Sequence, residues 1–368
     1  MCHVISGYLR DDARVFYRQC ISLSKNGHEV IVLTNDSEPD CETENVLFRA
    51  CEHYWPSRLK VILFAKRQFL SKALEIDADI YQLHSPELLT LIPALKKRNK
   101  RIIYDAHEDM PRHIIEKDSI PWFARSILAR IIDLYMKRAF SHVDSVISPH
   151  QHVVQELSGV VTNCVEIANF PLVQEKEKLV KNDFLNRETV FCYAGTVYPY
   201  SNQELTMAAI SNIGLAKYVV AGHIDDAHLK ELSICSGSEQ SKFLGRISKT
   251  ELGCVLDSAI AGLVVYDYKL NLGGKLGSFA TNKLFEYMEA GLPVICTDYE
   301  IWRSVVEGEG CGICIEPGNF EQLYQALLKL AENKDLAYEM GCRGRAAVER
   351  FYNWDSEEAK YLSLVDKL

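Results

Sequence analysis

The segment 281–298, which reads TNKLFEYMEAGLPVICTD, restricts the fold of this chain more than any other stretch. Apolar residues recur at three- and four-residue spacing from Leu284 to Met288, which predicts one buried face of a helix. Gly291 ends that helix, and a buried strand follows at 294–296. A helix that runs through a short turn into a buried strand is typical of an α/β fold with a parallel sheet.

The loop and the helix start in this segment are suited to bind an anion. Glycines precede the helix, and its first turn has free backbone N–H groups and the positive end of the helix dipole. Glu286 lies one turn further on, where a carboxylate can accept hydrogen bonds from two ribose hydroxyls. The alternative interpretation is an ordinary helix of a parallel sheet, with Glu286 as a solvated surface charge.

The length of 368 residues predicts two domains, because a single core rarely grows beyond about 250–300 residues. We expect a first domain at 1–170, a linker at 171–188, a second domain at 189–350 and a last helix at 351–368. No apolar run approaches the ~18–20 residues of a membrane span, and the amino terminus lacks the pattern of a signal peptide. These features predict a cytoplasmic protein.

Cysteine content and charge argue against two other classes of protein. The 12 cysteines are scattered through apolar segments, which indicates reduced, buried thiols rather than a secreted disulfide framework. The C-x-x-C at Cys311 and Cys314 has no second pair at zinc spacing, so we interpret it as core packing. The net charge of −9 and the lack of an arginine-rich face argue against nucleic-acid binding.

Two helices of the first half are predicted to be amphipathic. Basic residues interleave with large apolar residues at 58–72, which fits either an ordinary solvated helix or a helix on an anionic membrane, at the inner face of the cell membrane. The second helix is predicted at 121–140. We expect Phe123, Ile127, Ile131, Leu134 and Tyr135 to face inward and Arg125, Arg130, Lys137 and Arg138 to face outward.

Ionisable residues cluster where two predicted strands of the first half end. The strand 101–104 leads into Asp105, His107 and Glu108, and the strand 80–84 leads into His84 and Glu87. Open parallel sheets bind ligands at the carboxyl ends of their strands, so these residues are candidates for a cleft. The alternative interpretation is a polar loop that caps the following helix.

Three predicted strands of the second half, at 190–194, 217–221 and 242–244, each end in a glycine. Close approaches of the backbone at one sheet edge are the expected shape of a nucleotide site. The chain opens as strand, helix and strand, with Asp11 or Asp12 as the helix cap. No G-x-G-x-x-G fingerprint occurs there, so we expect no nicotinamide cofactor.

Three segments resemble those of glycosyltransferase family 4: TNKLFEYMEAGLPVICTD, LHSPELL together with YDAHED, and the opening strand–helix–strand unit. The resemblance implies the GT-B architecture, in which two Rossmann-like doubly wound α/β domains face a central cleft. It also implies that the last helix, at 351–368, crosses back to the first domain. It also implies a retaining transferase that moves a sugar from a nucleotide-diphosphate donor in the second domain to an acceptor hydroxyl in the first. Members of that family often build surface polysaccharide or lipid-linked glycan.

The resemblance assigns roles to particular residues. Glu286 would hold the donor ribose, and His107 would approach the transferred sugar. The other donor-binding candidates are Thr281, Asn282, Lys283, Leu284, Gly195, Thr196, Arg246 and Lys275. The other catalytic candidates are Asp105 and Glu108, and the candidates on the acceptor side of the cleft are Gly7, Arg10, Asp12, Arg14, His84 and Glu87.

Two positions depart from the family pattern. Ser278 stands where a second glutamate is common, and the loop GTVYPYSN at 195–202 lacks the usual arginine and lysine. Arg246, Lys275 or Lys283 would then supply the positive charge at the diphosphate. Two other functions stay open: a non-hydrolysing nucleotide-sugar epimerase of the same fold, or a degenerate transferase that serves as a binding partner.

We predict that the chain uses no cofactor and no metal, with the nucleotide sugar as a substrate. The D-x-D at Asp77 and Asp79 lies where a strand begins, and His150 and His152 have no third ligand in their turn. The expected partners are the donor and a glycan or lipid-linked acceptor, with a peripheral membrane contact through the first domain and no nucleic acid.

Overall fold

The computed structural model describes residues 1–51, 66–173 and 179–368. These residues form two lobes, and each lobe has a sheet, flanking helices and a hydrophobic core. The first lobe also contains the end of the chain, because side chains of the last helix belong to one of its core clusters. The two α/β units confirm the fold class predicted from the sequence.

In the first lobe, the described residues form one sheet of eight strands. They are β1 Cys2–Val4, β2 Val30–Thr34, β3 Cys41–Thr43, β4 Val46–Ala50, β5 Ile80–Leu83, β6 Arg101–Asp105, β7 Ser145–Ser148 and β8 Cys164–Glu166. Their order is β3-β4-β2-β1-β5-β6-β7-β8, and β3 pairs antiparallel with β4. The direction of winding changes between β1 and β5, so the loops that follow these strands flank the crevice where such sheets bind ligands.

The second lobe has a parallel sheet of six strands in its described residues. They are β9 Val190–Ala194, β10 Lys217–Ala221, β11 Ser241–Gly245, β12 Ala261–Val264, β13 Val294–Thr297 and β14 Gly312–Ile315. Their order is β11-β10-β9-β12-β13-β14, so the corresponding crevice lies between β9 and β12. Gly195 follows β9 directly.

The helices alternate with the strands. The first begins as a π-helix, Ala13–Cys20, and continues as an α-helix, Ile21–Lys25, and the side chain of Asp12 caps it by accepting from two backbone N–H groups. The other α-helices of the first lobe are Lys66–Ile76, Ile92–Lys96, Met110–Ile115, Trp122–Phe140 and Gln151–Leu157. Those that follow in the chain are Lys181–Leu185, Gln203–Ser211, Asp226–Leu232, Lys249–Ser258, Lys283–Glu289, Glu300–Val306, Phe320–Glu332, Lys334–Arg350 and Trp354–Val365. Short 3₁₀ turns occur at Pro86–Leu91, Pro199–Ser201, Ser238–Gln240 and Leu270–Leu272.

The last helix fastens the end of the chain to the first lobe. The indole N–H of Trp354 donates to Oγ of Ser22 at 2.8 Å, and the hydroxyl of Tyr361 donates to Gln82 at 2.7 Å. The backbone N–H of Trp354 also donates to the carbonyl of Pro171, which lies on the segment that leaves the first lobe. The two segments of chain that connect the lobes therefore contact each other.

The orientation predicted for the helix Trp122–Phe140 is wrong. The five side chains expected to face inward, Phe123, Ile127, Ile131, Leu134 and Tyr135, are all exposed. The buried face consists instead of Ala129, Met136 and Phe140. The helix has two apolar faces, and spacing alone identifies an apolar face without saying which one meets the core.

The structure also bears on the basic segment at 58–72, on the cysteines and on the expectation that the chain has no membrane span. Residues 58–65 of the basic segment lie outside the described residues, and the rest of that segment starts the helix Lys66–Ile76. All 12 cysteines are free, and Cys314 of the C-x-x-C packs against Cys296 on the neighbouring strand, with their Sγ atoms 3.7 Å apart. Among the described helices, none combines the length and the apolar character that a membrane span requires.

Candidate active site

Three histidines from neighbouring strands of the first lobe form a hydrogen-bonded row. His3 lies in β1, His84 follows β5 and His107 follows β6. Nδ1 of His3 lies 3.0 Å from Nε2 of His84, and Nδ1 of His84 lies 3.0 Å from Nε2 of His107. His3 and His84 are buried, whereas 14% of the His107 side chain is exposed. The row therefore runs from the core of the sheet to its carboxyl edge.

The row fixes the protonation of its members. Burial lowers the pKa of His3 to about 3 and lowers that of His84 well below its usual value, so both rings are neutral near pH 7. Nε2 of His3 is buried without a partner among the described residues. Because a bare buried N–H is rarer than a bare acceptor, we assign the protons to Nδ1 of His3 and of His84. His107 then accepts at Nε2 and carries its own proton on Nδ1.

The carboxylate of Asp105 lies beside this row, with Oδ2 3.6 Å from Nδ1 of His84 and 3.5 Å from Nε2 of His107. Its carboxylate accepts from Nε and Nη2 of Arg14 at 2.9–3.2 Å and from the amide of Gln19 at 2.7 Å. Burial alone would raise the pKa of the Asp105 carboxyl, but the Arg14 guanidinium, with the adjacent histidines, offsets the burial and lowers that pKa. Asp105 is fully buried, and its ionised carboxylate is paired with Arg14.

The same cluster has the donor set of a metal site. Nδ1 of His84, Oδ2 of Asp105 and Nε2 of His107 all lie within 4.8 Å of one another. However, Oδ2 of Asp105 already accepts from Arg14 and Gln19. A cation there would also lie beside the guanidinium of Arg14, which disfavours it electrostatically. These contacts favour a hydrogen-bonded cluster of side chains.

Asn169 connects the cluster to the second lobe. Nη1 of Arg14 donates to Oδ1 of Asn169 at 2.7 Å, and Nδ2 of Asn169 donates to the carbonyl of Ala280 at 2.9 Å. Its backbone N–H donates to the carbonyl of Phe279. Ala280 immediately precedes the loop that opens the helix Lys283–Glu289. Sequence reasoning placed Asn169 at the end of the first domain and missed this link.

Lys283 lies at the mouth of the glycine loop that follows β9. A Cβ atom built on Gly195 would lie 2.3 Å from Cε of Lys283, and one built on Gly222 would lie 1.9 Å from the carbonyl oxygen of Gly195. The Lys283 ammonium lies 5.3 Å from the ring centre of Tyr193 and 5.9 Å from that of Tyr266. Gly222 is therefore required by its close contact with backbone, and Gly195 leaves room for a cation beside the loop.

Glu286 lies one turn beyond Lys283 and is partly buried. Burial raises the pKa of its carboxyl, and this shift is opposed first by Arg18 of the first lobe and then by Lys283. A residue of the first helix thus acts electrostatically on the side chain that is predicted to hold the ribose. Sequence reasoning did not single out Arg18.

The other donor-side candidates are placed less closely together. Arg246 is exposed after β11, and the ammonium of Lys275 lies 5.5 Å from the ring centre of Tyr268. The carbonyl of Thr196 accepts from the hydroxyl of Tyr193. Leu284 is buried in the core, and Thr281 and Asn282 are partly buried before the helix begins. Of the three basic candidates, Lys283 is the one that meets the glycine loop.

The acceptor-side candidates separate into two groups. His84 and Arg14 belong to the buried cluster described above. Arg10 is instead bound to Asp36 on its own lobe at 2.6 and 2.9 Å, and Asp12 is engaged as the helix cap. Gly7 has a positive φ of 76° just after β1, and Glu87 is buried. Glu108, a catalytic candidate, is exposed. Tyr8, which the sequence did not single out, places its ring 4.8 Å from that of His107.

Glu116 makes a second contact between the lobes. Its carboxylate accepts from the backbone N–H of Leu270 at 2.8 Å and of Asn271 at 3.3 Å, and it lies 3.2 Å from the ammonium of Lys269. This carboxylate comes from the end of the helix Met110–Ile115, close to His107 in the sequence. The two lobes are thus joined by contacts at Asn169 and at Glu116.

Comparisons with known proteins identify relatives of both lobes. The family model Glycosyltransferase Family 4 matches residues 13–163, and the model Glycosyl transferases group 1 matches residues 174–347. An uncharacterized glycosyltransferase of Methanocaldococcus jannaschii is 22% identical over 217 residues, which are 57% of this chain and 52% of that protein. The chain therefore matches about half the length of this curated relative.

Solved structures resemble the fold over nearly its whole length. Sucrose-phosphate synthase from Thermosynechococcus elongatus has a TM-score of 0.74 at 16% identity, with 100% of this chain and 98% of that chain covered. WaaG, a glycosyltransferase involved in lipopolysaccharide biosynthesis, has a TM-score of 0.72 at 13% identity, with 98% of each chain covered. Anabaena HepE in complex with UDP-glucose has a TM-score of 0.72 at 12% identity, with 100% and 99% covered.

The two α/β lobes, each with its own sheet, have the GT-B fold of these solved glycosyltransferases. The family models match most of both lobes. The chain belongs to the group 1 glycosyltransferases of the family 4 type.

Proposed function

We propose that this glycosyltransferase moves a sugar, with retention of configuration, from a nucleotide-diphosphate donor in the second lobe to an acceptor hydroxyl in the first. The observation that carries the proposal is the chain of contacts from Asp105 through Arg14 and Asn169 to Ala280. It brings the histidine cluster close to the loop that leads to Lys283 and Glu286. That the similar Anabaena protein was crystallised with UDP-glucose supports a nucleotide sugar as the donor.

The site residues suit a reaction in which negative charge grows on the leaving group. As the bond between the anomeric carbon and the donor oxygen breaks, Lys283 would stabilise the departing diphosphate. The acceptor hydroxyl forms the new bond on the same face of the sugar, and its proton passes to the leaving phosphate, so no side-chain base is needed. His107 would present its Nδ1–H to the sugar, since Nε2 is occupied by His84.

A direct role for Asp105 as a nucleophile is not favoured. Its carboxylate is fully buried and is held by Arg14 and Gln19. A covalent glycosyl-enzyme intermediate at this residue would require both partners to leave and an ionised carboxylate to lose its counter-charge. The burial of Asp105 therefore supports direct transfer between donor and acceptor.

Binding and turnover together test the proposal. We expect one nucleotide diphosphate from a panel to raise the thermal midpoint, and its sugar conjugate to be transferred to an acceptor glycan. Glu286→Ala should weaken that nucleotide by roughly ten- to a hundred-fold, because a charged hydrogen-bond acceptor for the ribose contributes about 1.5–3 kcal/mol. Glu300→Ala, an exposed carboxylate on the next helix, is the matched control.

Other outcomes identify the competing functions. Isomerised donor in the absence of acceptor would indicate an epimerase. Binding without transfer or slow hydrolysis would indicate a degenerate partner protein. An unchanged dissociation constant in Glu286→Ala would remove the ribose role.

We further propose that the first lobe rests on an anionic membrane through the helix Trp122–Phe140, where it would meet a lipid-linked acceptor. The exposed apolar side chains of this helix are Trp122, Phe123, Ile127, Leu128, Ile131, Leu134 and Tyr135. The same helix has four basic residues and one acidic residue, in a chain whose net charge is −9. Local positive charge beside exposed apolar surface fits anionic lipid headgroups above an acyl layer.

Vesicle sedimentation tests this contact. The protein should bind vesicles of phosphatidylglycerol and phosphatidylcholine more tightly than vesicles of phosphatidylcholine alone, and Ile131→Asp should weaken that binding at least tenfold. Leu215→Asp, at an exposed apolar residue of the second lobe, should not change it. Equal binding by Ile131→Asp, or a dimer that this variant dissociates, would show that the helix contacts protein instead.

A further inference from the structure

Arg18 is a buried cation, and two of its three guanidinium nitrogens have no hydrogen-bond partner among the described residues. It lies in the last turn of the π-helix Ala13–Cys20, and only 4% of its surface is exposed. Within residues 1–51, 66–173 and 179–368, no group accepts a hydrogen bond from its Nε or Nη1, and both atoms are buried. A guanidinium keeps its charge at any physiological pH and presents five N–H donors, so its burial without an acceptor is costly.

The neighbours of Arg18 indicate what is missing. Arg14, one turn earlier, is another cation, and its own charge is matched by Asp105. Burial lowers the pKa of Arg18 to about 10, and the largest influence against this shift is Glu286 on the opposite lobe. No ion pair within 4.0 Å joins Arg18 to Glu286 in the described structure, so the attraction between them acts without direct contact. The first helix itself reaches the second lobe one residue earlier, where the ammonium of Lys249 lies 5.8 Å from the ring centre of Tyr17.

We propose that Arg18 is part of an anion site between the lobes and binds a phosphate group. The identity of this phosphate rests on the proposed function: a nucleotide whose ribose is held by Glu286 carries phosphate on the same sugar. Glu286 is influenced electrostatically by both Arg18 and Lys283, one from each lobe. The donor phosphates would then be held by cations from both lobes, and the planar fork of Arg18 matches two phosphate oxygens.

A substitution with opposite effects on the free and the bound protein tests this site. Arg18→Met keeps the length and apolar stem of the side chain and removes the unpaired charge. We expect the thermal midpoint of the ligand-free variant to rise by a few degrees, while its affinity for inorganic pyrophosphate falls at least tenfold. Arg18→Lys, which keeps the charge and loses the fork, should bind pyrophosphate with intermediate affinity. Arg49→Met is the matched control in the same lobe, because Arg49 pairs with Asp40 at an exposed position.

The pyrophosphate measurement is independent of sugar transfer. If Arg18→Met lowers the thermal midpoint and leaves the affinity for pyrophosphate unchanged, Arg18 is structural and the inference is overturned. The inference is also overturned if the wild-type protein does not bind pyrophosphate. If the variant behaves as expected but no nucleotide sugar is ever transferred, the anion site stands and the proposed function fails. UDP and uridine give a second comparison, since Arg18→Met should weaken UDP and leave uridine unchanged.

Discussion

The side chain of Lys283 occupies the space beside Gly195 that a side chain at residue 195 would need, since a Cβ atom there would lie 2.3 Å from Cε of the lysine. The backbone of Gly195 also has a φ of 130°, a conformation that side chains rarely adopt. The glycine is therefore needed for the lysine to reach this position. It is the clearest link between the sequence pattern of the loop and the charge that a diphosphate requires.

The first prediction follows from this contact. In Gly195→Ala the methyl group should displace the flexible end of Lys283 and strain the loop. We expect donor affinity to fall by roughly ten- to a hundred-fold, because one charge-assisted contact contributes about 1.5–3 kcal/mol. Titration calorimetry with the cognate nucleotide measures it. Gly253→Ala is the control, since a Cβ there meets no atom within 4 Å, and equal affinity in both variants would exclude Lys283 as a ligand.

The second prediction concerns the buried histidine row. In His84→Phe, Nε2 of His107 loses its donor, so the ring is free to turn and to change its protonation. We expect kcat to fall by roughly a hundred-fold while donor affinity stays within a factor of about two, because the ring would act on the transferred sugar and not on the nucleotide. His107→Ala should give the same separation of kcat from donor binding.

Rescue by a conservative variant distinguishes a positioning role of His84 from a merely structural one. His84→Gln has an amide that can still donate to His107, so it should recover part of the lost turnover. If donor affinity and kcat fell together in His84→Phe, the row would be a support of the fold rather than of the catalytic centre.

The sequence predicted the elements because their signals are local. The helix that ends at Gly291, the glycines after β9 and the histidines at the ends of β5 and β6 could all be found from spacing and strand ends. The parallel order of the strands then brought His84 and His107 together, as expected for neighbouring carboxyl ends. The family resemblance added the identity of the reaction class.

The contacts that the sequence could not predict join distant residues. Asn169 contacts Ala280, and Glu116 contacts Leu270, and no periodicity marks such pairs. The electrostatic influence of Glu286 on Arg18 also joins residues that are distant in sequence. The family resemblance made Arg10 a candidate for the cleft, but its guanidinium is paired with Asp36 in the same lobe. The helix Trp122–Phe140 has apolar residues on more than one face, so its pattern could not show which face meets the core.

The third prediction is a loss of stability in mild acid. Burial lowers the pKa of His3 to about 3 and that of His150 to about 4, and it lowers that of His84 as well. Below about pH 6.5 the unfolded chain therefore binds protons that the folded protein does not, and stability falls as the pH drops from about 6.5 towards 4. Each such histidine contributes a loss of up to about 1.4 kcal/mol per pH unit in this window.

Urea unfolding at pH 7.5, 6.5 and 5.5 checks this expectation. In His150→Gln the amide can replace the contact of His150 with the carbonyl of His107. This variant should reduce the pH dependence of the free energy of unfolding by the contribution of one histidine. His142→Gln, at an exposed position, should leave that pH dependence unchanged. Constant stability from pH 7.5 to 5.5 would mean that these rings accept protons in the folded protein.

The fourth prediction concerns the helix that returns to the first lobe. Trp354 is buried among residues of the first lobe, and its indole donates to Ser22 across 332 positions of sequence. Trp354→Ala should lower the free energy of unfolding by about 3–5 kcal/mol, since the cavity adds to the lost burial. Phe351→Ala, three residues earlier and 57% exposed, should cost far less. Ser22→Ala removes only the hydrogen bond, at about 0.5–1.5 kcal/mol, and should cost nothing further in the Trp354→Ala background. Equal losses in Trp354→Ala and Phe351→Ala would mean that the last helix is not fastened to the first lobe in solution.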